Sequence, residues 1–354
     1  MTLPTEPIGS IPRPLELVRG MREFAAGRMS AASLDALVDE ALRDTIERFE
    51  QTGSPVITDG EQRKPSFATY PIQGLPNLAR GGVTIPFKDG HERQLPVLTG
   101  GPFLYATYAA TYLKAARRHA HVPMKQAVIS ASALSLLYPS KGIPGYPREA
   151  FIEDLVREAE SDIRRCLAAG ASVQIDFTEA RLSLKLDPSK GLLNTFVDLN
   201  NQVLRRFTVE ERRRIGVHTC PGGDQDSTHS ADVDYAELLP SLFRLEAGSF
   251  FVQLASETDR PRVLAILGPL ASDDRRIFVG VIDPIDPRVE TPEQVRDRIL
   301  EAARFIDPAN LGSTDDCGFS PFGDDVSTSR ETAFAKIRAR VEGNELASRE
   351  IAGG

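Results

Sequence analysis

His218 and Cys220 stand two residues apart at the end of the apolar run Ile215-Gly216-Val217, just before the turn Pro221-Gly222-Gly223. On a β-strand, positions i and i+2 project to the same side. An imidazole and a thiol would then face one point, as the first two ligands of a zinc ion do. Cys317 closes another run, Leu311-Gly312-Ser313-Thr314, and offers a second thiol. It reads either as a third ligand or as a buried thiol beside the cap or loop carboxylates Asp315 and Asp316.

Whether these groups meet depends on the elements that carry them. Short apolar runs recur along the chain, most ending in polar residues, at 7–10, 55–61, 126–130, 172–176, 215–220, 250–257, 277–284 and 311–317. Stretches of helical spacing separate nearly all of them, at 15–26, 31–52, 106–120, 148–169, 192–207, 235–247, 262–270 and 329–341, with a further helix opened by Thr291-Pro292-Glu293-Gln294. Eight strands alternating with helices predict a closed parallel α/β architecture, a (β/α)8 TIM-type barrel. Its right-handed crossovers send every strand end to one face. The alternative, an open doubly wound sheet, would carry a Gly-x-Gly-x-x-Gly turn that is missing here. One domain over 1–354 is expected, with the Gly- and Pro-rich stretch 62–101 as a hairpin-like insertion after the second strand.

Composition narrows the function classes. The chain has 354 residues, 41% of them apolar and 26% charged, and a net charge of −8, with no basic patch interleaved with aromatics; a nucleic-acid partner is not expected. No run approaches the ~18 apolar residues of a membrane span, and the first seven residues carry no leader pattern, so a cytoplasmic enzyme is the expectation. Three cysteines are too few for a disulfide framework. Cys166 lies inside a helical pattern and reads as a small buried apolar residue.

In a barrel the strand ends converge, here Ser10, Glu61, Asp176, His218, Cys220, Glu257, Asp283 and Cys317. The expected metal ligands are His218, Cys220 and Cys317, with Glu257, a water or a substrate thiol in the fourth position. Two thiolates and a carboxylate leave Zn²⁺ net negative and a poor Lewis acid toward water. A substrate thiol at such a centre is deprotonated yet stays electron-rich, so alkylation of a zinc-bound thiolate is the expected chemistry. Asp176 or Asp283 could manage protons, and Arg13, Arg63, Lys64 and Arg181 could hold an anionic substrate. His229 lies in a polar loop past its strand, and His91, His119 and His121 in loop or helix-end contexts; none is expected as a ligand.

Ile8-Gly9-Ser10-Ile11-Pro12-Arg13, Asp59-Gly60-Glu61, Gln174-Ile175-Asp176, His218-Thr219-Cys220 and Asp316-Cys317-Gly318 resemble, in order, the motifs of the catalytic barrel of cobalamin-independent methionine synthase. The resemblance covers nearly the whole chain. It implies zinc on His218, Cys220, Glu257 and Cys317, and a homocysteine-like thiol held by the counterparts of Ile8, Gly9, Ser10, Glu61 and Asp176. The family's Gln-Ile-Asp-Glu-Pro is Gln174-Ile175-Asp176-Phe177-Thr178 here, Leu182 falls where a pterin-binding glutamate is sought, and the chain has no tryptophan. The alkyl donor therefore stays open among a corrinoid, a folate and an epoxide. The last corresponds to the similar epoxyalkane:coenzyme M transferases. A uroporphyrinogen-decarboxylase-like barrel, or a protein with purely structural zinc, completes the alternatives.

Overall fold

The computed structural model describes residues 2–353. Its centre is a six-stranded parallel sheet: β1 (Lys125–Ile129), β2 (Ser172–Asp176), β3 (Ile215–Thr219), β4 (Ser249–Val252), β5 (Arg276–Ile282) and β6 (Leu311–Asp315), paired in sequence order. Two irregular segments complete the ring. Thr5 bridges Ser313 of β6, and Ile57 bridges Met124 just before β1, both in parallel. The segments hold each other where the Ile11 amide donates to the Gly60 carbonyl (3.0 Å) and the Thr58 hydroxyl to that of Gly9 (2.7 Å). The chain is thus an α/β barrel, as the alternation of runs predicts.

The first two expected strands are corrected: the stretches 7–10 and 55–61 are not extended ladders. Pro4, Pro7, Pro12 and Pro55 carry no amide hydrogen to donate, and Gly9, Gly60 and Glu61 turn into positive φ. The expected sixth strand also stops early, at Val252 and not at Glu257. The reason is a single side chain: the Asp316 carboxylate accepts the amides of Leu254, Ala255 and Ser256 at 2.7–2.9 Å, and these turn away from the ladder. The final helix, Arg330–Gly353, outruns the expected 329–341.

Alternation along the strands builds two cores. One set of side chains packs outward against the helices in a cluster reaching from Leu3 to Ala347. The other set fills the barrel, where Ile8, Phe251 and Phe278 form a small apolar layer and the Lys125 ammonium sits 3.7 Å from the Phe251 ring. Gly216 leaves the space that the Phe251 ring takes.

The stretch 62–101 forms a 3₁₀ turn (Tyr70–Ile72), a pair of two-residue strands (Leu78–Ala79 with Val97–Leu98) and, inside that pair, the hairpin Thr84–Pro86 with Glu92–Gln94.

The ring is closed by charge. Asp315, at the end of β6, accepts the Ile8 amide (3.3 Å) and the Arg340 guanidinium (2.5 Å), and Arg340 also donates to the Glu6 carbonyl (3.0 Å). Both side chains are buried, and removing one partner strands the other charge. Arg340→Met is therefore expected to lose about 3–5 kcal/mol in chemical denaturation. Arg340→Met combined with Asp315→Leu is expected to recover most of it.

Candidate metal centre and pocket

β3 delivers His218 and, one step past its end, Cys220; Cys317 arrives two residues beyond β6. All three are buried, and their ligand atoms lie within 4.8 Å of one another. The two sulfurs are 3.1 Å apart. The strand-end spacing that suggested a shared focus is realised, and Cys317 is brought to it from across the barrel.

His218 is oriented by its neighbour in the sheet. Asp176 pairs in register with His218, and its Oδ1 lies 3.1 Å from His218 Nδ1 while accepting from Gln174 Nε2 at 2.8 Å. With the proton on Nδ1, Nε2 is the atom left to ligate, which is the carboxylate–histidine arrangement of zinc sites. Burial pulls the His218 imidazole down, but Asp176 and Cys317 outweigh it and raise it to about 10. The Cys317 thiol is pushed up by its contact with Cys220 and by burial. Without a metal the cluster therefore holds protons, which metal binding would displace. One imidazole and two thiols are a donor set that suits zinc, and His218 Nε2 also lies 3.3 Å from the Asp316 carbonyl oxygen.

Gly222 makes the turn after Cys220 with φ at +72°, and a Cβ there would run into the His229 ring. His229, read from the sequence as a polar-loop residue, is buried, and its Nδ1 has no partner among the described residues. The loop folds back on a two-residue turn, Gln225-Asp226, both at positive φ, and so returns His229 over Gly222.

The cluster lies at the base of a pocket of about 600 Å³, counting the part open to solvent. Ser10, Glu61 and Asp176 share that base, and Phe67, Ile85, Phe87, Pro321 and Phe322 make the apolar walls. Ile8 lines it as well; Gly9 stands behind, its carbonyl taken by Thr58. Glu61 sits in the left-handed region, φ 58°, with its carboxylate 2.8 Å from Lys64 Nζ. Burial pushes the Glu61 carboxyl up, while burial of Lys64 is outweighed by Glu61, Asp59 and Asp176, which raise its ammonium.

Several expected residues are placed elsewhere. Glu257 does not join the cluster: its Oε1 accepts from Arg181 (3.1 Å) and Gln253 (2.9 Å). Since Val252 pairs with Thr219, the residue that follows β4 level with Cys220 is Gln253. Asp283 does not line the pocket; its carboxylate accepts the Ile285 amide (3.0 Å) and caps a turn. The four candidate anion-binding cations are all engaged. Arg13 is buried and clamps the carbonyls of Glu61, Lys64 and Phe322. Arg63 pairs with Asp35 and Asp39 on the outer face, Lys64 with Glu61, and Arg181 with Glu257 and the carbonyls of Ala231 and Val233. Sequence reading missed Arg93, Phe87 and Phe322, because nothing in a hairpin or a Pro/Gly loop announces which way it folds.

The sequence was compared with known proteins. Residues 3–341 match the family described as cobalamin-independent synthase, catalytic domain. The chain belongs to this family. As a family member it is a methionine-synthase-like methyltransferase. The methionine synthase of Sulfurisphaera tokodaii is 23% identical over 350 residues, 99% of this chain and 94% of that protein. The methionine synthase of Saccharolobus solfataricus is 23% identical over 357 residues, 99% and 96%. Among solved structures, a B12-independent methionine synthase from Shewanella sp. W3-18-1 in complex with selenomethionine superposes with a TM-score of 0.77 at 19% identity over 100% of both chains. A structure described as the putative vitamin-B12 independent methionine synthase from Listeria monocytogenes gives 0.72 at 20% identity, over 97% and 98%. These structures share the barrel.

In this chain Asp176, and not Glu257, contacts a candidate ligand. Asp176→Asn is expected to weaken zinc affinity about 10–100-fold, as loss of an orienting carboxylate does. Glu257→Gln is expected to change it less than about twofold; competition with a chromogenic chelator measures both.

Proposed function

We propose that this protein transfers a methyl group to the thiol of a homocysteine-like substrate at a zinc centre formed by His218, Cys220 and Cys317. The observation that carries the reading is the convergence of these three buried donors at the base of a pocket that also presents Glu61 and Asp176. Bound there, zinc would keep a substrate thiol deprotonated at neutral pH while leaving its sulfur electron-rich. Asp176 holds the His218 ring in one orientation. Glu61, Asp59 and Asp176 gather around the Lys64 ammonium with Arg13 and His218 close by, and Glu61 and Asp176 are the carboxylates a substrate amino group would meet at the pocket. The apolar walls exclude water from the reacting sulfur, whose lone pair forms the new S–CH3 bond as the donor–CH3 bond breaks. The fourth metal position is left to the substrate sulfur or a water, since Glu257 is occupied by Arg181.

The second reading, a thiol that opens an epoxide in the manner of the coenzyme M transferases, needs a cation for the sulfonate. Arg13, Arg63, Lys64 and Arg181 are each paired, which favours the amino-acid thiol. Membership of the synthase family leaves the decarboxylase-like alternative without support. The donor is a corrinoid or a folate; the absence of tryptophan from the chain favours the corrinoid. No described helix is long and apolar enough to cross a membrane, and three free cysteines accord with a cytoplasmic setting. The whole chain would work as one barrel unit roofed by 62–101.

In the test, the zinc-loaded protein is incubated with homocysteine or coenzyme M and with methylcobalamin, methyl-folate or a small epoxide. Methionine formation from homocysteine and methylcobalamin is expected. Product only with coenzyme M and an epoxide would overturn the reading. His218→Ala and Cys317→Ser are each expected to cost more than ~100-fold in zinc affinity, beyond what loss of an outer partner costs. Metal retained by both variants would remove the centre from the mechanism.

A further inference from the structure

The two thiols come from loops 97 residues apart in sequence, and something must hold those loops together before any ligand arrives. One side chain reaches both. Arg93, on the second strand of the hairpin Thr84–Pro86/Glu92–Gln94, presents a forked guanidinium. One edge meets Asp224, four residues past Cys220, with Nε at 2.6 Å and Nη2 at 3.2 Å. The other meets Asp324, seven residues past Cys317, with Nη1 at 3.1 Å and Nη2 at 2.9 Å. The fork also lies 4.3 Å from the centre of the Phe322 ring, which belongs to the Cys317 loop.

These contacts differ from ordinary surface ion pairs. The Asp224 side chain is fully buried, and it also takes His91 Nε2 at 3.0 Å. Paired and bidentate, a buried carboxylate of this kind fixes geometry as well as charge. The hairpin is further tied to the Cys220 loop by two amides, Lys88 to the Thr228 carbonyl (3.0 Å) and Asp89 to the Ser227 hydroxyl (3.2 Å). The same hairpin sets Ile85 and Phe87 in the pocket wall, with Phe87 edge-on to His229. Apart from this hairpin, the Gln225 amide to Asp325 (3.3 Å) also ties the two loops directly.

The geometry points to Arg93 as a positioning residue that clasps the Cys220 and Cys317 loops through Asp224 and Asp324, keeping the two sulfurs close enough to share one metal ion and roofing the pocket by the same contact. The inference rests on the proposed metal-centred reading. It adds that the centre is assembled by an arginine touching neither ligand, from an insertion outside the barrel ring. A planar five-donor fork can serve two carboxylates at once, whereas a lysine can satisfy only part of that demand.

Two measurements on the full chain test it, using Arg93→Met, Arg93→Lys and Asp224→Asn. In chelator competition, Arg93→Met is expected to bind zinc about 10–100-fold more weakly than the unaltered protein, with Arg93→Lys in between. In the metal-free protein, diamide takes the two thiol hydrogens as Cys220 and Cys317 join. Arg93→Met is expected to slow this disulfide at least about tenfold, because misplacing reacting atoms by about 1 Å already costs that much. Asp224→Asn is expected to match Arg93→Met, and the double variant to add little to either. Should Arg93→Met fail to fold, Asp324→Asn on the exposed rim takes its place. A folded Arg93→Met protein with zinc affinity and disulfide rate both within twofold of the unaltered protein overturns the clasp. If the unaltered protein binds no zinc, the proposed function falls, and the disulfide rate still decides whether Arg93 holds the loops.

Discussion

The seam between the first and last staves of the barrel governs the rest of the structure. There Asp315 and Arg340, both buried, hold the amide of Ile8 and the carbonyl of Glu6 against the end of β6. Among the described residues the first stave shares only two backbone bonds with β6, Ser313 to the Pro4 carbonyl and Glu6 to that of Ser313, both 3.0 Å, and the polar knot extends the junction beyond them. It also sets where β6 ends, and hence where Asp316 and Cys317 emerge. Asp316 then takes three amides after β4, and Cys317 crosses toward Cys220. Closing the ring and composing the site are one event.

How much of this was legible in the sequence follows from which forces are local. His218 and Cys220 could be read because strand geometry alone puts positions i and i+2 on one side. Cys317 could be read once the barrel was inferred, since the fold brings strand ends together whatever their separation. Glu257 was misplaced because the turn before it depends on Asp316, which takes the amides of Leu254, Ala255 and Ser256 across 60–62 residues, a contact that no periodicity records. The cations failed for a related reason. Arg13, Lys64 and Arg181 are each consumed by carbonyls or carboxylates that only the folded chain supplies. The irregular first two staves were overcalled as strands, although the prolines that break them were in view.

Electrostatically the site is organised by exclusion. Its walls are aromatic and aliphatic, its one lining guanidinium, Arg93, is held by Asp224 and Asp324, and its other polar side chains are two thiols, two imidazoles, two hydroxyls and two carboxylates. A donor set of this kind suits a metal cation better than a free anion. The barrel supplies this arrangement from six different strand ends or staves, so each loop can change with little effect on the ring.

Glu61 carries a different consequence. A non-glycine residue in the left-handed region stores backbone strain of about 1 kcal/mol or more, and this one does so beside Gly60, where the chain turns its carboxylate into the pocket. Glycine at 61 would relax that strain but remove the carboxylate paired with the buried Lys64 ammonium, a loss of about 3–5 kcal/mol that outweighs it. A search for thermally hardier versions of this protein would thus keep the glutamate despite its strained backbone. The strained turn persists because the ion pair it positions is worth more than the strain it stores.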